Sequence, residues 1–352
     1  MIRKCGGAVS LVCTALLLAA PQAAAQEKKT LTISSWGGAF QKAQKEAWFG
    51  IVEKELNVTI KEDTTSGLAD VRTQVASGKP TWDLTTQGAY SCALLEKEGN
   101  LEKFDAETAK ALVDIPTTLG RSDHCAPQIV YSVAIGWRDK AFPGKEPTGW
   151  ASFWDTKTFP GQRSIRKHPI YALEMALIAD GVPMADVYKV LGTPEGVDRA
   201  FKKLDTIKKD VVWWESGAQP PQLLADGQVV IASDWNGRFF DAVKKDKKPF
   251  KIVWDGQAPD WDWWAMPKGG PNLDAAYKFI SWSSQPAPMA EQTKYISYGP
   301  ANKDSNPMID PAVLPDLPTA PDNMKNVLYV DPQFWADNGD QLRERFNAWL
   351  SK

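Results

Sequence analysis

Apolar positions along this chain switch repeatedly between a period of two and a period near 3.6, the marks of strands and amphipathic helices. The segment "KTLTISSWGGAF" (29–40) sets Leu31 and Ile33 on one side of a strand and ends in a Ser-Ser-Trp-Gly-Gly loop. A helix follows over "QKAQKEAWFGIVEKEL" (41–56), with Ala43, Ala47, Phe49 or Gly50, and Val52 turned inward. "NVTIKEDT" (57–64) is a second strand, "GLADVRTQVASG" (67–78) a helix with Gly78 just past its end, and "TWDLTTQG" (81–88) a third strand. This β-α-β-α-β succession predicts an open, mostly parallel sheet, whose ligands sit in crevices outside the carboxyl ends of the strands. Trp36 and the segment "TQGAY" (86–90) fall at those ends.

The second half follows the same logic. "GQRSIRKH" (161–168) reads as a strand, "IYALEMALIADG" (170–181) as a helix closed by Gly181, and "VDRAFKKLDTIKKD" (197–210) as an amphipathic helix. "PPQLLADGQVVIASDW" (220–235) is helix then strand, and "LDAAYKFISWSS" (273–284) and "GDQLRERFNAWLSK" (339–352) are helical again. The Pro-rich stretch 310–323 reads as a surface excursion between helices. Two α/β lobes whose strand-end loops face one crevice make a clamshell. Periodicity leaves open how often the chain crosses between them.

Length agrees, since the roughly 325 residues left after an N-terminal signal exceed what one core usually holds. That signal is expected over residues 1–25. Arg3 and Lys4 precede an apolar run from Ala8 to Ala20, and "PQAAAQ" supplies small residues up to a cleavage near Ala25. A membrane anchor is the competing reading, weakened by a short apolar core. The mature protein is therefore expected to be soluble and exported. Two cysteines remain after cleavage, Cys92 and Cys125; a disulfide between them would contribute roughly 3–4 kcal/mol, and two separate buried thiols are the alternative. A formal net charge of −2 with mixed signs argues against a nucleic-acid partner.

The chemistry of catalysis is thin. Only two histidines are present, His124 and His168, and no metal-ligand spacing, nucleophile elbow or phosphate loop is found. His168 reads as a polar strand-end residue. Asp260, Asp262 and Glu215, with nearby tryptophans, are what a secreted glycoside hydrolase would use. Sixteen tryptophans are the compositional oddity. Trp36, Tyr90, Trp235, Trp261, Trp263, Trp264 and Tyr298 stand in loops or at strand ends, where ring faces can meet a small cationic or zwitterionic molecule. For "DWDWWAMP" (260–267), alternation puts Trp261 and Trp263 on one face and Asp262 and Trp264 on the other, so one face at most meets ligand.

Five segments, in order, carry a family likeness: "LTISSWGGAF" (31–40), "TGWASFWDTKTFPGQRSI" (148–165), "LLADGQVVIASDWNGRFFDA" (223–242), "WWAMPKGGPNLDAAYKFISW" (263–282) and "YISYGPANKD" (295–304). The chain resembles the periplasmic solute-binding proteins of ABC importers, in the spermidine/putrescine-type branch. The resemblance implies two lobes joined by crossing strands, residues 27–136 plus 261–301 and residues 137–260 plus 302–352, with hinges near "SVAIGW", "GQAPDW" and "YGPAN". It also implies a monomer without cofactor that works with a membrane permease. By the same resemblance Trp36, Tyr90, Trp235 and Tyr298 are ligand-facing aromatics and Asp262 is the carboxylate that grips an amine, with Ser216 as a further contact.

One departure changes the expected ligand. Where polyamine binders offer carboxylates before the helix at "YALEMAL", this chain has Arg166, Lys167 and His168, and Arg238 follows "WNG". A buried guanidinium needs an anion, and a ligand carboxylate suits its paired donors. Asp262 for an ammonium and Arg166 or Arg238 for a carboxylate describe a small zwitterion such as gamma-aminobutyrate. Alternatives are an Arg238 pair with Asp234 or Asp241, an interlobe salt bridge at Arg166, and a true polyamine ligand. A ferric-iron site using Tyr295 and Tyr298 ranks after these.

Overall fold

The computed structural model describes residues 1–2, 28–113 and 122–352, so the expected signal segment lies almost wholly outside the described residues. Among the described residues nine strands form one sheet: β1 (Lys29–Ser35), β2 (Val58–Thr64), β3 (Leu84–Gly88), β4 (Cys125–Arg138), β5 (Arg163–Arg166), β6 (Val211–Trp214), β7 (Ile231–Trp235), β8 (Phe250–Ala265) and β9 (Gly299–Pro300). Their order is β2-β1-β3-β8-β4-β7-β5-β6, with β9 on β4. Parallel triplets at both ends flank antiparallel pairings in the middle.

The middle is where the two lobes join. β4 and β8 are the long strands, 14 and 16 residues, and each serves both lobes. The C-terminal end of β8 pairs with β3 from Asp262 to Ala265, while Val133 to Trp137 of β4 pair with β7. Between them Tyr131 lies opposite Asp260. A third passage runs beside β4, where Ile129 and Val130 pair with Pro300 and Gly299.

Each lobe has its own apolar packing. Trp264 of β8 and Met266 just past its end pack with Leu31, Ile33, Trp48 and Phe279, while Trp261, Trp263 and Ala265 pack into a different cluster with Val71, Trp82 and Leu95. The expected alternation is therefore present, and all three tryptophans are core. The second lobe is centred on Phe153, Ile165, Leu173, Phe201 and Phe346. Its helix Pro194–Asp205 buries Val197, Ala200, Phe201 and Leu204, one face at helical spacing, behind a Thr193 cap on the Gly196 N–H at 3.1 Å. It stops at Asp205, short of the 197–210 read from the pattern, because Lys208–Asp210 form a separate 3-10 turn.

Cys92 and Cys125 are joined in a disulfide that ties the helix Ala89–Lys97 to the start of β4. The Pro-rich excursion is not wholly superficial, since Leu317 is fully buried against Ala290 and Ile309. Among the described residues no helix is long and apolar enough to cross a membrane.

Candidate functional site

A cavity of about 400 Å³ opens where the ends of the first-lobe strands meet the second lobe. Its acidic wall comes from β8, where the period of two sets Asp260 and Asp262 on one face. The two carboxylates are treated differently. Asp260 accepts hydrogen bonds from the Tyr171 hydroxyl at 2.7 Å, the Tyr131 hydroxyl at 3.1 Å and the Trp261 N–H at 2.8 Å. Burial raises its pKa and these donors oppose the rise. Asp262 has one donor, the Trp36 indole N–H at 2.9 Å. Burial and, after it, the Asp260 charge push its pKa up to about 8. Both tyrosine hydroxyls are held well above their ordinary pKa by burial and the Asp260 charge, and so stay as donors.

Tyr171 reaches Asp260 through an unusual backbone. Ile170 (φ −57°, ψ 134°) and Tyr171 (φ 70°, ψ −41°) have type II turn angles, so helix Pro169–Ala179 is interrupted near its start. The second central position of such a turn favours glycine, and a tyrosine there costs on the order of 1–3 kcal/mol. The preceding His168 Nδ1 accepts the Ile170 N–H at 3.2 Å. Burial, and after it Arg166 and Arg343, hold His168 well below its ordinary pKa, which suits an acceptor. His168 caps a turn.

The motif Asp234–Arg238 at the end of β7 divides its labour by residue. Trp235 faces the cavity, with its ring edge-on to Trp214 at 5.3 Å. Gly217 makes room for it, since a Cβ there would meet the Trp235 ring at 2.4 Å. Asn236 binds two crossing segments, accepting the Ser132 N–H at 2.9 Å and donating to the Ser297 carbonyl at 2.5 Å. A Cβ on Gly237 would meet Tyr298 at 2.6 Å, so this glycine lets the Tyr298 ring approach. Asp234 is fully buried and accepts its neighbour's N–H at 2.8 Å. Burial raises its pKa well above the ordinary carboxyl range.

The opposite wall is basic. Arg166 ends β5 with its guanidinium 5.3 Å from the centre of the Trp235 ring. Arg238 reaches across the cleft, for a Cβ on Gly38 of the first lobe would lie 3.3 Å from its guanidinium. Among the described residues neither arginine has a carboxylate within 4.0 Å, and the buried Arg238 Nε has no hydrogen-bond partner. Asp241 pairs instead with Lys245 at 2.8 Å, and at the rim Lys167 pairs with Glu215 at 2.8 Å. Neither the Arg238 pairs with Asp234 or Asp241 nor an interlobe salt bridge at Arg166 is formed.

Trp36, Tyr90, Arg166, Ser216, Trp235, Arg238, Asp262 and Tyr298 all line this one cavity. Sequence reasoning missed Tyr131, Tyr171 and Trp335 as lining residues, and considered Asp260 only as a candidate for catalysis. For Asp260 the signal was present, two positions before Asp262 on the same strand face. Tyr171 looked like helix interior, and Trp335 is brought in by tertiary packing alone.

Comparison with known proteins agrees with this geometry. The chain is 40% identical to the gamma-aminobutyric acid-binding protein of Pseudomonas aeruginosa over 95% of both chains. It is 32% identical to a binding protein from A. tumefaciens B6 solved in complex with glucopine, with a TM-score of 0.84 over 91% of this chain and 99% of that one. A solved GABA receptor is also 32% identical, with a TM-score of 0.81 over 92% of this chain and 98% of that one. Residues 39–321 match the family model for bacterial extracellular solute-binding proteins. With two lobes, crossing strands and an interlobe cavity in place, the chain belongs to the bacterial extracellular solute-binding proteins.

Proposed function

We propose that the cavity captures a small zwitterionic amino acid such as gamma-aminobutyrate outside the cytoplasmic membrane and that the closed protein presents it, unchanged, to an ABC permease. The observation that carries this reading is one cavity holding two guanidiniums without ion-pair partners, and one carboxylate, Asp262, with a single donor, among the described residues. In this reading the ligand ammonium meets Asp262 beside Trp36. Its carboxylate meets Arg166 or Arg238, and its methylenes lie against Trp235. Tyr90, Ser216 and Tyr298 complete the wall. The 40% identity to a GABA-binding protein supports the same ligand class.

A polyamine fits less well. Of the three carboxylates that line the cavity, Asp260 is occupied by three donors and Glu215 is paired with Lys167, which leaves Asp262 for two or more ammoniums facing two guanidiniums. A glycosidase needs carboxylates flanking the scissile bond, whereas Asp260 and Asp262 stand on one strand face and Glu215, the third candidate, is an exposed rim residue paired with Lys167. Tyr295 does not line the cavity with Tyr298, which weakens the ferric-iron reading. The lobe division of 27–136 plus 261–301 and 137–260 plus 302–352 belongs to the same proposal, except that in β4 we place the change of lobe at Tyr131–Val133, a few residues before 136, because Val133–Trp137 pair with β7 and Val133 and Ile135 pack in the second-lobe core.

Parallel calorimetric titrations with gamma-aminobutyrate and putrescine test the reading. Heat with gamma-aminobutyrate alone is expected. Heat with putrescine alone, or with neither, overturns the ligand assignment.

A further inference from the structure

Beneath the cavity wall lies an acid that the ligand reading leaves unused. Glu174, on helix Pro169–Ala179, is fully buried. Its Oε1 accepts the Trp335 indole N–H at 2.7 Å and the Tyr188 hydroxyl at 2.9 Å, while Oε2 has no partner among the described residues. No cation forms an ion pair with it among the described residues. A buried carboxyl without a counter-charge is costly, and an apolar side chain of similar size would fill the space with less penalty. What the carboxyl adds is direction, because it dictates where two donors point.

One of those donors belongs to the cavity. Trp335 is 1% exposed, lines the cavity with Val330 and Pro332, and sits in the first turn of the C-terminal helix Pro332–Leu350. That turn is fixed from the other side by the Asp331 cap on the Phe334 N–H at 2.9 Å. One turn on, Asp337 pairs across the cleft with Lys97 at 3.0 Å. Lys97 ends the helix whose start carries Tyr90 and Ser91 on the facing wall. Glu174 itself stands three residues after Tyr171, another cavity residue.

We propose that Glu174 is a positioning residue of the solute site: it sets the pose of the Trp335 ring and thereby the first turn of the C-terminal helix, where the two walls meet. This rests on the reading that the cavity is the solute site. It assigns Trp335 to the ligand wall and gives the buried acid a role at one remove.

The test is a double-mutant cycle with gamma-aminobutyrate as calorimetric probe on the full protein. Glu174→Leu removes the acceptor and is expected to weaken binding about tenfold, the upper end of what one ordinary hydrogen bond contributes. Glu174→Gln keeps an amide oxygen toward Trp335 and should stay within about threefold of the parent. Trp335→Phe keeps a ring but removes the N–H, and should lose as much affinity as Glu174→Leu does. The double variant that combines Glu174→Leu with Trp335→Phe should then be no worse than either single change. Additive losses, or a lowered Tm with unchanged affinity in Glu174→Leu, overturn the proposal. A second readout needs no ligand: hydrogen exchange of the Trp335 indole N–H in ¹⁵N-Trp-labelled protein, assigned by its loss in Trp335→Phe. Protection lost in Glu174→Leu and kept in Glu174→Gln supports the proposal even if the parent fails to bind gamma-aminobutyrate, which would sink only the ligand assignment. An indole N–H indifferent to both substitutions overturns it.

Discussion

The two walls of the cavity carry opposite charge and are built in opposite ways. The acidic wall is a rigid strand, with Asp260 enclosed by three donors and Asp262 bonded to Trp36. The basic wall is two arginines, one at the end of a strand and one within a short helix, with no carboxylate within 4.0 Å of either among the described residues. In the proposed reading Asp260, which accepts three hydrogen bonds, is framework, while Asp262, Arg166 and Arg238 face the cavity with fewer partners and are the groups offered to a ligand.

Removing the acid should break this contrast most. Asp262→Asn leaves the Trp36 bond possible but takes away the ammonium partner, and a loss of affinity for gamma-aminobutyrate on the order of a hundredfold or more is expected in calorimetry. The same variant has a pH signature. Unfolded, Asp262 titrates at its ordinary value of 3.8; folded without ligand, it titrates at about 8. Between those values the folded form keeps a proton that the unfolded chain has lost, so the Asp262 contribution to stability falls as pH rises through this window. Relative to the parent, Asp262→Asn should therefore gain Tm steadily from about pH 4 to about pH 8 in ligand-free protein. A flat difference would mean that Asp262 is solvated in the empty protein.

The basic wall comes next. Arg166→Ala should weaken gamma-aminobutyrate about a hundredfold or less, since Arg238 remains to meet the carboxylate, and should leave putrescine undetected or bring its binding into range. If gamma-aminobutyrate affinity is unchanged, Arg166 supports Trp235 through their contact and does not select charge.

A smaller effect is expected at the framework. Tyr171→Phe removes the 2.7 Å donor to Asp260, and gamma-aminobutyrate affinity should fall about tenfold. A change in Tm alone would confine Tyr171 to a structural part. This residue also marks the limit of what the chain pattern reveals. Trp36, Tyr90, Arg166 and Trp235 are legible because they follow strands, and in an open α/β sheet strand ends face the ligand. Asp262 is supplied by the family resemblance, and alternation adds only that it shares a strand face with Trp264. Tyr171 is not legible, because its left-handed backbone interrupts a segment that reads as continuous helix, and only the hydroxyl contact with Asp260 reveals its purpose. Trp335 is hidden for another reason: it comes 100 residues after Trp235, and packing alone delivers it to the same cavity. The crossings of β4 and β8 were likewise supplied by family resemblance, since periodicity carries no information on which strands are shared.

The smallest effect is expected at the rim, where the walls also touch. Lys97 and Asp337 pair at 3.0 Å but remain 63% and 46% exposed, and Asp337 also accepts a bond from Gln333 at 2.9 Å. Exposed pairs of this kind are screened by salt and offset by the ordering of long side chains. Lys97→Ala should accordingly change gamma-aminobutyrate affinity by no more than about threefold, with the difference shrinking as salt is raised. A tenfold loss that persists at high salt would invert the picture: closure would then be held at the rim, and the charged walls would choose the ligand without supplying most of the energy that keeps the lobes together.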